Sequence, residues 1–263
     1  MKTSGDRGLR GGDKSRWVKE IEEALLDGRA DLAVHSAKDV PGVLPDGLSI
    51  VGVPARADAR DAVVGFASFE KLPEGAVVGT SSLRRRSQLL AARPDLVVED
   101  LRGNVDTRLR KLRERRYDAV VLAKAGLDRL GVDEGAQVPV EAMTPAAGQG
   151  CLALEARTDD DRVRELAAGL TDQAALVELT AERAAVTALD ATCHTPVGVH
   201  ARLEDERLVI AAYVGMPDGS SWIRDRLDLP AADPAAGGRE IAARLLSAGA
   251  GELLAAAESA APS

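Results

Sequence analysis

Aromatic residues are nearly missing from this chain: two Trp, two Tyr and two Phe among 263 residues. Leu, Val, Ile and Ala must therefore build the core, and the aromatic platforms that stack single-stranded nucleic acid are scarce. Cysteine is equally rare, with only Cys151 and Cys193, too few for a disulfide framework. His35, His194 and His200 show no metal-ligand spacing, so no metal is expected. No run approaches the roughly 18 apolar residues of a membrane span. The first residues, Met-Lys-Thr-Ser-Gly-Asp-Arg, contain no apolar signal segment. These absences predict a cytoplasmic protein with no membrane partner.

What is present is an ordinary globular balance, 45% apolar and 29% charged, in a chain long enough for two or three domains. Trp17, Ile21 and Leu25 lie four apart and predict a helix over 15–27 that Gly28 stops. Strands are expected at 30–35 and 48–53, then a polar crossing at 54–60. Beyond it, strands at 76–79, 96–98 and 117–123 alternate with helices after Leu83, after Asn104 and around Leu127, which predicts parallel βαβ construction. Residues 144–150 read as a loop, 151–156 as a strand, and 160–169 and 173–189 as helices. Three short strands at 197–203, 208–214 and 221–227, closed by a helix over 238–257, predict a small α+β unit.

The charge is −8 overall, yet Arg84, Arg85, Arg86, Arg102, Arg108, Arg110, Lys111, Arg113, Arg115 and Arg116 crowd one part of the chain. Most of positions 108–116 read as the wet face of a helix, Arg108 excepted. Three strand ends carry polar clusters: His35 to Asp39, Thr80 to Arg86, and Arg102 to Asn104. In α/β proteins ligands sit just beyond the carboxyl ends of strands. At Thr80-Ser81-Ser82 a helix begins, so backbone N–H groups, hydroxyls and arginine forks converge where an anion binds. That many forks point to a ligand with several carboxylates; nucleic acid is the rival, opposed by the acidic total. Lys38 and Asp39 read equally as a surface ion pair or as a reactive pair. Cys193, in a turn between a helix and a strand, reads as a nucleophile, an attachment point or half-buried filler; Cys151 reads as core filler.

Several segments together resemble one family. They are His35-Ser-Ala-Lys-Asp-Val-Pro41, Gly79-Thr-Ser-Ser-Leu-Arg-Arg85, Leu101-Arg-Gly-Asn-Val-Asp-Thr-Arg108, Leu122-Ala-Lys-Ala-Gly-Leu-Asp-Arg-Leu130, Gly148-Gln-Gly150, Thr180-Ala-Glu-Arg183 and Cys193-His-Thr-Pro-Val-Gly198. Their order and spacing resemble porphobilinogen deaminase (hydroxymethylbilane synthase). The resemblance implies a transferase of tetrapyrrole and haem biosynthesis that joins four porphobilinogen units head to tail, releases ammonia and hydrolyses the product to hydroxymethylbilane. It implies a dipyrromethane cofactor held by a thioether to Cys193. It implies Asp39 as the catalytic carboxylate that holds pyrrole N–H groups and stabilises the cation left when ammonia departs. Lys38, Asp39, Thr80, Ser81, Ser82, Arg84, Arg85, Arg102 and Gly103 would contact the cofactor, and Lys14, Arg102, Arg108 and Arg129 the substrate.

The implied architecture is α/β: two domains like periplasmic binding proteins with a cleft between them, plus a C-terminal α+β domain. Domain 1 would take 1–55 and 150–170, domain 2 would take 56–149, and domain 3, carrying the cysteine, would take 171–263. The family is mostly monomeric, and nucleic acid is not expected as a partner. Departures are also legible. Members begin with a further strand and helix, roughly fifty residues in all, and losing an inner strand would leave backbone groups unpaired. The expectation is therefore that Met1 is an internal methionine of a longer protein. The alternative is an impaired remnant that at most binds polycarboxylates. Ala191 and Thr192 replace the usual glycines before the cysteine, and Lys14-Ser-Arg-Trp17 replaces a glycine-rich loop sequence.

Overall fold

The computed structural model describes residues 14–192 and 195–260. Helix α1 (Lys14–Leu26) precedes β1 (Ala33–Ser36), and β1 runs into a 3-10 turn at Ala37–Asp39. Then come β2 (Leu48–Gly52), β3 (Asp61–Val64), β4 (Val77–Gly79), α2 (Leu83–Ala92), β5 (Val97–Glu99), α3 (Val105–Arg113), β6 (Ala119–Ala123), α4 (Lys124–Arg129) and β7 (Ala136–Gln137). The chain continues through β8 (Leu152–Arg157), α5 (Asp161–Ala168), α6 (Gln173–Ala188), β9 (Val197–Glu204), β10 (Arg207–Gly215), β11 (Trp222–Pro230), α7 (Pro234–Ser247) and α8 (Ala250–Ala260).

These strands form three sheets, ordered β1-β8-β2, β5-β4-β6-β3-β7 and β11-β10-β9. Leu25, Ala33 and Leu48 seat α1 against the first sheet. The second sheet is buried on both faces. Val63, Val78, Val98, Val121 and Leu89 fill one side; Ala62, Val64, Val120, Leu109 and Leu127 fill the other. In the third, Val199, Ala201, Leu208 and Ile210 pack under Ala181 and Ala185 of α6 and Ile241 and Leu245 of α7. Helix α6 also buries Ala175 and Leu179 against Val53 and Ala153 of the first unit. With apolar contacts on two sides, it joins the third unit to the first.

The chain crosses between the first two sheets twice, and the crossings run side by side. Ala57 N donates to Gly150 O at 3.2 Å, and Gln149 Nε2 donates to Ala59 O at 2.7 Å. Gly148 has φ +72, and a Cβ there would lie 2.8 Å from the Ala37 carbonyl carbon and the Lys38 nitrogen. Only glycine lets the second crossing lie this close to the turn that ends β1.

Among the described residues, parallel pairing is confined to one side of the second sheet, where β4 pairs parallel with the edge strand β5 and with β6. Strand β3 is antiparallel to β6 and β7, and β8 is antiparallel to both its neighbours. The returning crossing delivers β8 into the first sheet from the opposite direction, which a local pattern of strands and helices does not reveal. The single helix expected over 238–257 is two. Gly249 at φ +100 breaks it, and α7 starts earlier, with Pro234 in the first turn and Asp233 Oδ1 accepting from Ala236 N at 2.9 Å.

Candidate active site

Strand β1 delivers Lys38 and Asp39, both half-buried, in the turn that follows it. The turn is pinned where Ala37 N donates to Cys151 O at 3.0 Å. Lys38 Nζ donates to Gln149 Oε1 at 3.4 Å, so the second crossing reaches this end of the first sheet through a side chain as well as through Gly148.

The second cluster lies where β4 gives way to α2. Ser82 caps the helix, its Oγ accepting from Arg85 N at 3.4 Å, and Thr80 Oγ1 accepts from Ser82 N at 3.2 Å. Arg84 and Arg85, on the first turn, are both buried. They converge on Asp61, the first residue of β3, which is 0% exposed. Arg84 Nη1 donates to Asp61 Oδ2 at 2.8 Å, and Arg85 Nε donates to Oδ1 at 2.9 Å. Arg84 Nη1 also donates to Thr144 O (2.7 Å), and Arg85 Nη1 donates to Val121 O (2.9 Å). Burial alone would raise the Asp61 carboxyl, but the Arg84 and Arg85 charges win and hold it far below the ordinary range. Burial lowers the Arg85 guanidinium, and Asp61 opposes that shift.

Arg108 joins this group electrostatically. It donates through Nε to Gly103 O at 2.8 Å. Burial and then the neighbouring Arg85 charge lower its pKa, while Asp39 opposes them. The Asp39 charge likewise acts on Arg85. Asp39 from the first unit and Arg85 and Arg108 from the second thus share one field. Gly103, at φ +119, makes the turn that aims its carbonyl at Arg108. Arg129 Nη2 donates to Gly150 O at 2.9 Å, on the returning crossing. Arg102 stands apart, its side chain 76% exposed and 3.8 Å from Asp100. Ser81 Oγ and Arg84 Nε are buried without a hydrogen-bond partner among the described residues. Cys193 lies outside the described residues, as does the side chain of Lys14, the first residue of α1.

Sequence reading assigned no role to Asp61, Gln149, Arg56 or Glu182. The last two lock the third unit to the crossings. Glu182, 0% exposed, accepts from Arg56 Nη1 (2.8 Å), Gly148 N (2.6 Å) and Ala201 N (2.7 Å). Burial would raise its carboxyl, but Arg56 outweighs that and keeps it low. Cys151 is fully buried, and burial pushes its thiol up to about 12, which suits core filler rather than a nucleophile.

The fold and the site define a class: a three-sheet α/β protein with buried arginine forks and a strand-end aspartate. Comparison with known sequences narrows that class. Residues 1–165 match the family model described as porphobilinogen deaminase, dipyromethane cofactor binding domain, and residues 176–247 match the porphobilinogen deaminase C-terminal domain. A porphobilinogen deaminase of Roseiflexus sp. (strain RS-1) is 51% identical over 93% of this chain and 82% of its own length. That of Sulfurimonas denitrificans is 46% identical over 94% of this chain and 81% of its own length. The chain belongs to the porphobilinogen deaminase family.

Proposed function

We propose that this chain is a transferase that condenses four porphobilinogen units head to tail, releasing ammonia at each addition, and hydrolyses the chain to hydroxymethylbilane in tetrapyrrole biosynthesis. The observation that carries the residue-level reading is geometric: half-buried Lys38 and Asp39 end β1, and Lys38 is joined through Gln149 and Asp61 to the buried Arg84 and Arg85 of the second sheet. Porphobilinogen and its oligomers bring carboxylates and pyrrole N–H groups, and the two residue types match them. Arginine forks suit the carboxylates, and a half-buried aspartate suits the N–H groups.

The dipyrromethane group of the family fits this site. Ser81 Oγ and Arg84 Nε are buried donors without an acceptor among the described residues, which carboxylate side chains would satisfy. Lys38, Asp39, Thr80, Ser81, Ser82, Arg84, Arg85, Arg102 and Gly103 would hold the group, with Cys193 as its thioether anchor. When bound it supplies a tethered pyrrole end that accepts the next unit. Lys14, Arg102, Arg108 and Arg129 would take the incoming substrate's carboxylates. Asp39 accepts hydrogen bonds from pyrrole N–H groups, and its negative charge stabilises the cationic substrate that forms as ammonia leaves. Lys38, tied to Gln149, holds carboxylate rather than pairing with its neighbour.

The three sheets suggest units near 1–55 with 150–170, 56–149 and 171–263, joined by the paired crossings. No helix among the described residues is long and apolar enough to cross a membrane. The acidic total and scarce aromatics count against a nucleic-acid partner; a cytoplasmic monomer without membrane partners is carried over from the family, and a dimer mass in size-exclusion chromatography contradicts the monomer. Asp39→Ala is expected to lower porphobilinogen turnover by at least ~10²-fold with an unchanged circular dichroism spectrum. Turnover close to the parent refutes the role given to Asp39.

A further inference from the structure

Asp61 and Gln149 are buried, 0% and 1% exposed, yet together they touch Lys38 from the β1 turn and Arg84 and Arg85 from α2. Two adjacent guanidiniums in a dry interior repel, and without an anion between them their planes are not fixed. Asp61 gives each its own oxygen, Oδ2 to Arg84 and Oδ1 to Arg85. Gln149 then completes Oδ1, donating from Nε2 at 3.0 Å while also donating to Ala59 O at 2.7 Å. Both of those partners are acceptors, so the amide has one allowed orientation. Its Oε1 therefore faces Lys38 Nζ. The result is a continuous path from Lys38 through Gln149 and Asp61 to Arg84 and Arg85. It begins on the first sheet, passes through the returning crossing and ends on the helix of the second sheet.

We infer that Asp61 and Gln149 are a pair of positioning residues that hold the carboxylate-binding cations of the two halves of the site in register. The inference rests on the functional reading above. Neither residue meets substrate or cofactor; each acts by fixing the direction of a lysine or arginine that would hold the cofactor's carboxylates, and so the position of the pyrrole end that meets the substrate. The charge count supports this division: one carboxylate against two guanidiniums fixes both but leaves a net positive charge for a ligand.

The test is steady-state kinetics of the full chain with porphobilinogen, comparing the parent with Asp61→Asn, Gln149→Ala and the double variant. The expected result is a KM raised ~10-fold by Asp61→Asn and ~3-fold by Gln149→Ala, with kcat falling less than KM rises. The double variant should fall short of the product of the two effects, because both belong to one network. A purely structural role lowers the melting temperature and leaves KM of the folded fraction at the parental value; that outcome in both single variants overturns the inference. If Asp61→Asn does not fold, Gln149→Ala, which removes no charge, decides alone. Absence of turnover by the parent refutes the functional reading and this inference with it, whereas an active parent with unchanged variant KM values refutes only the inference.

Discussion

Asp61 and Glu155 are both 0% exposed, one opening β3 and the other inside β8, and their surroundings could hardly differ more. Asp61 accepts aligned hydrogen bonds from Arg84, Arg85 and Gln149. Glu155 has His35 Nε2 2.8 Å from Oε2, but without hydrogen-bond alignment, and both its oxygens lack a hydrogen-bond partner among the described residues. Glu22 Oε1 is also buried without a hydrogen-bond partner among the described residues, and burial and then the Glu155 charge push the Glu22 carboxyl up. Burial alone thus does not set what a carboxylate does for the fold; the number of aligned donors does. The satisfied centre lies beside the proposed site and holds its cations. The unsatisfied one lies behind β1, where its charges oppose one another.

The contrast can be broken by mutation. Asp61→Asn leaves two buried guanidiniums facing each other and should cost about 3–5 kcal/mol, the usual penalty for breaking a buried pair. Glu155→Gln keeps the shape, loses no aligned hydrogen bond and relieves the repulsion on Glu22, so its cost should stay within about 1 kcal/mol of zero. Urea unfolding of both variants checks this, and equal losses would remove the distinction between the two centres.

The pH dependence sharpens the same contrast through its sign. Asp61 and Glu182 are depressed in the folded state, so their stabilisation is complete above the ordinary carboxylate range, about pH 4, and is lost as pH falls toward their folded values. Glu22 is raised, so its ionisation opposes folding, and that penalty disappears as pH falls through its folded value. Thermal melts should therefore fall off below about pH 4 in the parent, with the steepness reduced by Asp61→Asn and not by Glu22→Gln.

These two centres also differ in how far the sequence reveals them. The strand that ends in Lys38 and Asp39, the Thr80–Ser82 entry to α2 and the Asn104 cap of α3 are all readable, because each is local. Asn104 Oδ1 does accept from Thr107 N, at 3.0 Å. Asp61 escapes because β3 is a four-residue strand buried on both faces, and an aspartate after a polar crossing looks like loop. Its charge has meaning only through Arg84 and Arg85, more than twenty positions later. Gln149 sits between two glycines and also reads as loop; its partners Lys38 and Asp61 arrive by long-range pairing. Antiparallel β8 is hidden for the same reason. A buried acid ahead of Ala62-Val63-Val64, with two arginines at a helix start downstream, was the available hint.

The mass of the chain purified from cells that make porphobilinogen tests cofactor attachment at Cys193 most directly. Two attached pyrrole units, present in the parent and lost in Cys193→Ser, are the predicted result. A parent mass equal to that of the bare sequence contradicts the account.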